Sequence, residues 1–358
     1  METTRRRLLV TVAGAATLGI TAGCVGGSTD TQSTADETSV QSSFFVFGDV
    51  ARTVAGDAAN SELLVPIGQH GHGWEPGPRV REDVYEASLL VHGMAGFQPW
   101  VDDIRRDLDA DGSSVTTVDA SSGLDLLAAV DEHDHAEDNH AEDDHTEGDH
   151  EDEAHTDDAH HEEPHEDDSH LDDHDHENSG TADPHFWMDP LRLAESVGTV
   201  RDALIEVDAD DADAYESNAE AFRSALHDLH DCVEAIVSEA AGDVLLIAGH
   251  NSLRYFGDRY DVEIEALTQV SPDDQVTVRD VERAQERIER NDLRYICADP
   301  LESQRAAEQL VEETDAEAVL PLTSMPGLTD EWDEEGWGYL EVMESVNLPT
   351  IERVLTDQ

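Results

Sequence analysis

Seven histidines stand outside a dense acidic stretch of this 358-residue chain: His70, His72, His92, His185, His227, His230 and His250. Three of them sit where a polypeptide can present an imidazole to a cleft. His72 lies in Gly68-Gln69-His70-Gly71-His72-Gly73-Trp74-Glu75-Pro76, after an apolar run that ends at Ile67. His250 directly follows the apolar run 244–248, in Ala248-Gly249-His250-Asn251-Ser252. His185 lies in Asp183-Pro184-His185-Phe186-Trp187-Met188-Asp189-Pro190, just ahead of a helix start. Three neutral imidazoles with one position left open suit Zn2+, a borderline-soft ion that takes nitrogen ligands in a tetrahedron. Taken singly, a histidine at any of these places is more often structural than a ligand. Their joint placement, at two strand ends and one helix start, is what points to a metal. His227 and His230, among Asp228, Asp231 and Glu234, read as surface residues of a helix. His92 ends a strand at Gly93 and fits either a lining or a structural role, and His70 is a spare candidate.

The elements that must position these side chains follow a simple alternation. From residue 44 on, short apolar runs alternate with longer amphipathic segments. The runs 44–47, 63–67, 89–91 and 115–118, and later 244–248, 262–267, 294–298 and 318–322, read as buried strands. Helical patterns fall at 213–240, 253–259, 278–289 and 304–313. Asp189-Pro190 opens another helix, with Asp as N-cap and Pro at the first helical position, and Leu191, Val197, Val200 and Leu204 continue it. The expected fold class is α/β, with two lobes, each a mostly parallel sheet flanked by helices, joined by a long rigid helix. The boundaries are 43–188 for the first lobe, 189–207 for the joining helix and 208–358 for the second lobe. Ligands of such sheets gather at the carboxyl ends of the strands, which is where His72 and His250 fall.

Residues 131–180 break the alternation. They carry 12 of the 19 histidines, no basic residue and almost nothing apolar, and 24 carboxylates fall between residues 131 and 177. Such a stretch cannot supply a core and is expected to be a disordered insertion. It reads either as more solvated acidic surface or as a string of weak metal sites that raise the local concentration near a tight one.

The remaining composition sets the surroundings. The net charge is −65, from 85 acidic and 20 basic residues, and every basic residue is Arg. Outside the insertion 61 acids still face 20 bases. A surface this acidic stays hydrated where salt screens ordinary charge effects, which fits a halophilic host, and it excludes nucleic acid as a partner. Residues 1–24 read as a twin-arginine lipoprotein signal. Thr4-Arg5-Arg6-Arg7-Leu8-Leu9 is followed by an apolar run to Ile20, too short for a mature membrane span, and then by Thr21-Ala22-Gly23-Cys24. Cys24 becomes the lipidated first residue under this reading; an uncleaved anchor is the other. Residues 25–42 then form a flexible tether. The protein is expected outside the cytoplasm, lipid-anchored on the outer side of the cytoplasmic membrane. There Cys232 and Cys297 could pair or remain two free thiols.

These segments resemble one family, the zinc/manganese-type solute-binding proteins of ABC importers. Asp183 through Pro190 is similar to its DPHxWxDP signature, and His72-Gly73-Trp74-Glu75-Pro76 to its HxYEP segment, with Trp for Tyr. His250-Asn251-Ser252-Leu253-Arg254-Tyr255-Phe256 is similar to HDAFxYF, and Asp208 through Tyr215 and Asn218 to DPxNAxxYxxN. A His- and acid-rich insertion directly before the DPHxWxDP segment also resembles the zinc-specific members. The resemblance covers residues 44–353. It implies two lobes joined by a stiff helix, and a metal held between them by His72, His185 and His250 as first, second and third ligands. It further implies a monomer that presents the metal to an ABC importer permease.

Manganese-type members resemble this pattern with a carboxylate in third place, so imidazole at His250 favours zinc. Manganese or another divalent metal is the alternative. One departure concerns the fourth ligand. Where many members carry an Asp, in a segment like LDPLG, this chain reads Val319-Leu320-Pro321-Leu322-Thr323-Ser324. Water, or a carboxylate such as Glu75 or a loop acid, is expected instead. Three histidines and a water also make catalytic zinc, but a hydrolase needs a placed base or nucleophile. GxSxG does not occur, and the one HExxH string, His161-Glu162-Glu163-Pro164-His165, lies in the acidic insertion with a Pro inside it rather than on a helix. Capture rather than catalysis is the expectation. A purely adhesive surface protein would leave the three ordered histidine segments without a role.

Overall fold

The computed structural model describes residues 38–71, 74–129, 182–270 and 276–357. The signal with Cys24, the expected insertion at 131–180 and the ligand candidate His72 lie outside the described residues.

Two parallel four-stranded sheets organise the rest. The first has the order β2-β1-β3-β4, with β1 at Ser39–Ser42, β2 at Asn60–Leu63, β3 at Leu89–His92 and β4 at Thr116–Asp119. The second has the order β6-β5-β7-β8, with β5 at Val244–His250, β6 at Glu263–Thr268, β7 at Tyr295–Ala298 and β8 at Ala318–Pro321. β3 and β7 are buried along their whole length, as expected of inner parallel strands covered on both faces. Helices α1 (Phe45–Ala55), α2 (Pro78–Tyr85) and α3 (Pro99–Asp111) connect the first sheet. Two longer helices follow, α4 (Pro190–Val207) and α5 (Ala212–Ser238). The second sheet is connected by α6 (Arg254–Tyr260), α7 (Val278–Asn291) and α8 (Arg305–Glu313). Short helices α9 (Asp330–Glu334) and α10 (Tyr339–Val342), one π turn and α11 (Leu348–Thr356) complete the chain.

α4 starts as its sequence dictates. The Asp189 side chain accepts the Leu191 amide at 2.9 Å, and Pro190 fills the first turn, where no amide is needed. Its buried stripe, Leu193, Val197, Val200 and Leu204, packs on α1 and the first sheet. A four-residue link (208–211) lets α5 lie back along α4. The segment expected to join the lobes, 189–207, is α4, whose Arg192 reaches Asp258 and Tyr255 of the second half, and α5 packs on both halves as well. At 27 residues α5 extends about 40 Å, and it meets α1 as well as α6, α10 and α11. One apolar cluster runs from Val40 and Phe44 through α4 and α5 to Leu245, Tyr339 and Leu355. The two sheets thus share a core.

The first strands differ from expectation. Residues 44–47 begin α1 rather than a strand, because Val46, Val50 and Val54 recur every four residues and a short apolar run suits either element. The strand lies just before it, at Ser39–Ser42, inside the stretch read as tether. Ser-Val-Gln-Ser carries one apolar residue, yet it pairs with β2 on one side and β3 on the other, and Gln41 and Ser42 are buried. β2 sits at Asn60–Leu63, earlier than the run 63–67 suggested. Cys232 is exposed and Cys297 is buried in β7, and both are free thiols. Burial pushes the Cys297 thiol up to about 12.

Candidate metal centre

His185 sits in a buried turn whose polar atoms are almost all committed. The Asp183 carboxylate accepts the His185 amide at 3.0 Å and its Nδ1–H at 2.8 Å. Its other oxygen meets Arg254 at 3.2 Å, and the Asp183 carbonyl accepts the Tyr255 hydroxyl at 2.7 Å. Trp187 Nε1 donates to the Ser324 carbonyl at 2.8 Å, and the Tyr339 hydroxyl donates to the Trp187 carbonyl at 2.7 Å. Asp189 is gripped by Arg192 at 2.7 Å and Arg259 at 2.6 Å. Asp183, His185 and Asp189 are completely inaccessible. Burial pushes the His185 imidazole below its usual range, against the upward pull of Asp183. The ring is therefore held neutral, the form that binds metals, and Asp183 fixes the tautomer that leaves Nε2 unprotonated.

His250 arrives from the other sheet. β5 loses register with β6 between Ile247 and His250, which turns the chain at the strand end. The two rings meet through their far nitrogens, His250 Nε2 lying 3.3 Å from His185 Nε2. Two nitrogens bound at ~2.0–2.1 Å in a tetrahedron stand about 3.3 Å apart. His250 Nδ1 faces Glu302 Oε1 at 3.2 Å, and His70 Nε2 faces the same oxygen at 3.3 Å. Burial works to raise the Glu302 carboxyl, but hydrogen bonds from His250 and His70 outweigh it and hold it down at about 2. His70, His250 and Glu302 share a cavity of about 740 Å³ that continues between Thr268, Val281 and Arg305.

The loop carrying His70 is tied to the far half of the molecule. Gly68 N donates to the Leu328 carbonyl and Gly71 N to the Pro326 carbonyl, both at 2.9 Å. A Cβ on Gly71 would lie 2.7 Å from the Phe44 ring and 2.9 Å from Pro326 O, and one on Gly327 would lie 2.5 Å from Gln69 O. Glycine permits this close approach.

The structure thus brings His185 and His250 together and places His70 beside them. Glu75 is exposed on its loop. At the departing segment, Thr323 Oγ1 donates to Asp299 Oδ2 at 2.6 Å, so the nearest carboxylate there is engaged with Thr323, Ser324 and Leu301. His92 is buried and its Nδ1 donates to the Gly93 carbonyl at 2.6 Å, the structural role. His230 lies on α5 against the Tyr260 hydroxyl at 3.0 Å, with Asp231 and Glu234 exposed beside it. Glu302 was visible in the sequence only as one acid among many, since nothing in its neighbours marks the loop after β7.

The family model described as "ZnuA: Zinc-uptake complex component A periplasmic" matches residues 40–354. The chain belongs to this family. It is a family of uptake-complex components rather than of enzymes. The zinc-binding lipoprotein AdcA of Streptococcus pneumoniae is 26% identical over 89% of this chain, which spans 56% of AdcA's own length. The high-affinity zinc uptake system protein ZnuA of Bacillus subtilis is 24% identical over 90% of both chains. The manganese-binding lipoprotein MntA of Halalkalibacterium halodurans is 25% identical over 76% of this chain and 75% of its own. The solved Zn(II)-bound ZnuA-like domain of AdcA superposes with a TM-score of 0.66 at 23% identity, covering 90% of this chain and all of that domain. That likeness establishes the two-lobed α/β fold.

Proposed function

We propose that this ZnuA-family chain captures Zn2+ in the cleft between its lobes and delivers it to the permease of an ABC importer. The observation that carries the reading is the facing pair of imidazoles, Nε2 to Nε2 at 3.3 Å, each backed at Nδ1 by a carboxylate. Zinc is the cargo rather than a resident cofactor. His185 and His250 are two of its ligands, and His72 is the third by its place in the HxYEP-like segment. Water completes the tetrahedron. Nitrogen donors prefer zinc to manganese, which favours oxygen.

In this reading the first lobe runs from β1 to residue 188, the second is 208–358, and the protein works as a monomer. It is exported by the twin-arginine route and anchored through lipid on Cys24, where the acidic surface suits a saline exterior. The insertion at 131–180 gathers metal without being required for tight binding. Calorimetric titration of Zn2+ and Mn2+ in high salt tests this on the full chain, on a form lacking 131–180 and on His185→Ala. The reading expects one tight zinc in the first two and none in the third. Binding that disappears with the deletion would overturn it, and manganese bound more tightly than zinc would reassign the cargo.

A further inference from the structure

The two facing imidazoles are supported from behind in the same manner but by unrelated residues. Asp183, inside the DPHxWxDP-like segment, holds His185 Nδ1 at 2.8 Å. Glu302, four residues past the end of β7, holds His250 Nδ1 at 3.2 Å. The loop that delivers Glu302 is itself fixed. Leu301 N donates to Asp299 Oδ1 at 2.9 Å, Glu302 N to the Asp299 carbonyl at 3.0 Å, and Gln304 Nε2 to the Asp299 carbonyl at 2.7 Å. Room is also left for the carboxylate. Its Oε2 passes so near residue 249 that a Cβ there would lie 2.9 Å away, and residue 249 is glycine.

Resting on the zinc-receptor reading, we propose that Glu302 is the positioning residue of this cleft. It holds His250 in the Nδ1–H tautomer, so that the Nε2 lone pair faces the metal, and the same oxygen holds His70, from the opposite lobe, against the cleft wall. Glu302 does not itself bind the ion. It stands at the Nδ1 edge of His250, whereas the metal lies at the Nε2 edge, across the ring. Carboxylates placed behind ligating histidines fix the ring and raise its basicity, and their loss typically weakens metal binding about 10–100-fold.

The test uses the full chain with zinc buffered by a competing chelator, so that only the tight site is read. Glu302→Ala is expected to weaken that site about 10–100-fold. Glu302→Gln keeps an acceptor oxygen facing Nδ1 and is expected to recover most of the loss. X-ray absorption at the zinc edge should show the same nitrogen and oxygen ligands in both variants as in the parent. Parent-like affinity in Glu302→Ala overturns the proposal. So does loss of an oxygen neighbour from zinc in either variant, because Glu302 would then be a direct ligand. A parent chain with no tight zinc at all sinks the receptor reading instead, an outcome distinct from either.

Discussion

His185 and His250 face each other, yet they are held by opposite kinds of surroundings. The His185 side is a closed polar network of Asp183, Arg254, Tyr255, Trp187, Tyr339 and Asp189 in which the carboxylates are inaccessible. The His250 side opens on the cavity, and its carboxylate, Glu302, is 23% exposed. Buried polar groups are costly unless fully partnered, so the first side is structural as well as functional. The second side has water to fall back on and can be altered without endangering the fold. One half of the site is closed and fully partnered, and the other half borders the cavity.

The largest expected effect comes from the closed half. His185→Ala should weaken zinc binding at least about 100-fold, some 2.7 kcal/mol, in a chelator-competition titration. Only a slight loss would mean that the buried imidazole is not a ligand. Asp183→Ala strips His185 Nδ1 and the Arg254 guanidinium of their buried partner, which should cost about 3–5 kcal/mol in denaturant unfolding. Glu302→Ala on the open half should cost under about 1 kcal/mol of the same stability. Equal losses would erase the contrast between the halves. Gly71→Ala drives a methyl into Phe44 and Pro326 O and should cost about 1–3 kcal/mol, read as a lowered Tm.

Acid provides a milder probe. His185 titrates below its usual range when folded, so the unfolded chain binds the extra proton first. Its contribution to stability is complete above the unfolded value of about 6.5 and falls away as pH drops below it. In the metal-free chain this should appear as stability lost progressively as pH falls below about 6.5, and a flat profile in His185→Ala would assign it. A modest effect is expected for Tyr339→Phe, which keeps the ring and removes one hydroxyl from the Trp187 carbonyl, at about 1 kcal/mol in denaturant unfolding.

The second sheet was more legible in the sequence than the first. β5 and β7 announce themselves as Val-Leu-Leu-Ile and Tyr-Ile-Cys-Ala, because a strand buried on both faces must be apolar throughout. β1 carries only Val40 and is held by its backbone pairing with β2 and β3, which leaves no hydrophobic trace. The run 44–47 misled for a related reason, since four apolar residues do not state a period. At the candidate site, His185 and His250 could be named from their segments. Glu302 and the ring-holding part of Asp183 could not, because they depend on which side chain lies behind which ring, and that is set by tertiary packing.

The hydrogen bonds from Gly68 and Gly71 to Leu328 and Pro326 cross the mouth between the two halves, and their donors are backbone amides. Such amides trade their hydrogens with solvent only when the contact opens. Deuterium uptake at these two positions therefore counts how often this contact between the halves breaks. With α5 bracing both halves and the core continuous across them, that uptake should be far faster than at the amides of β3 and β7, because two loop hydrogen bonds can break locally while the sheets stay paired.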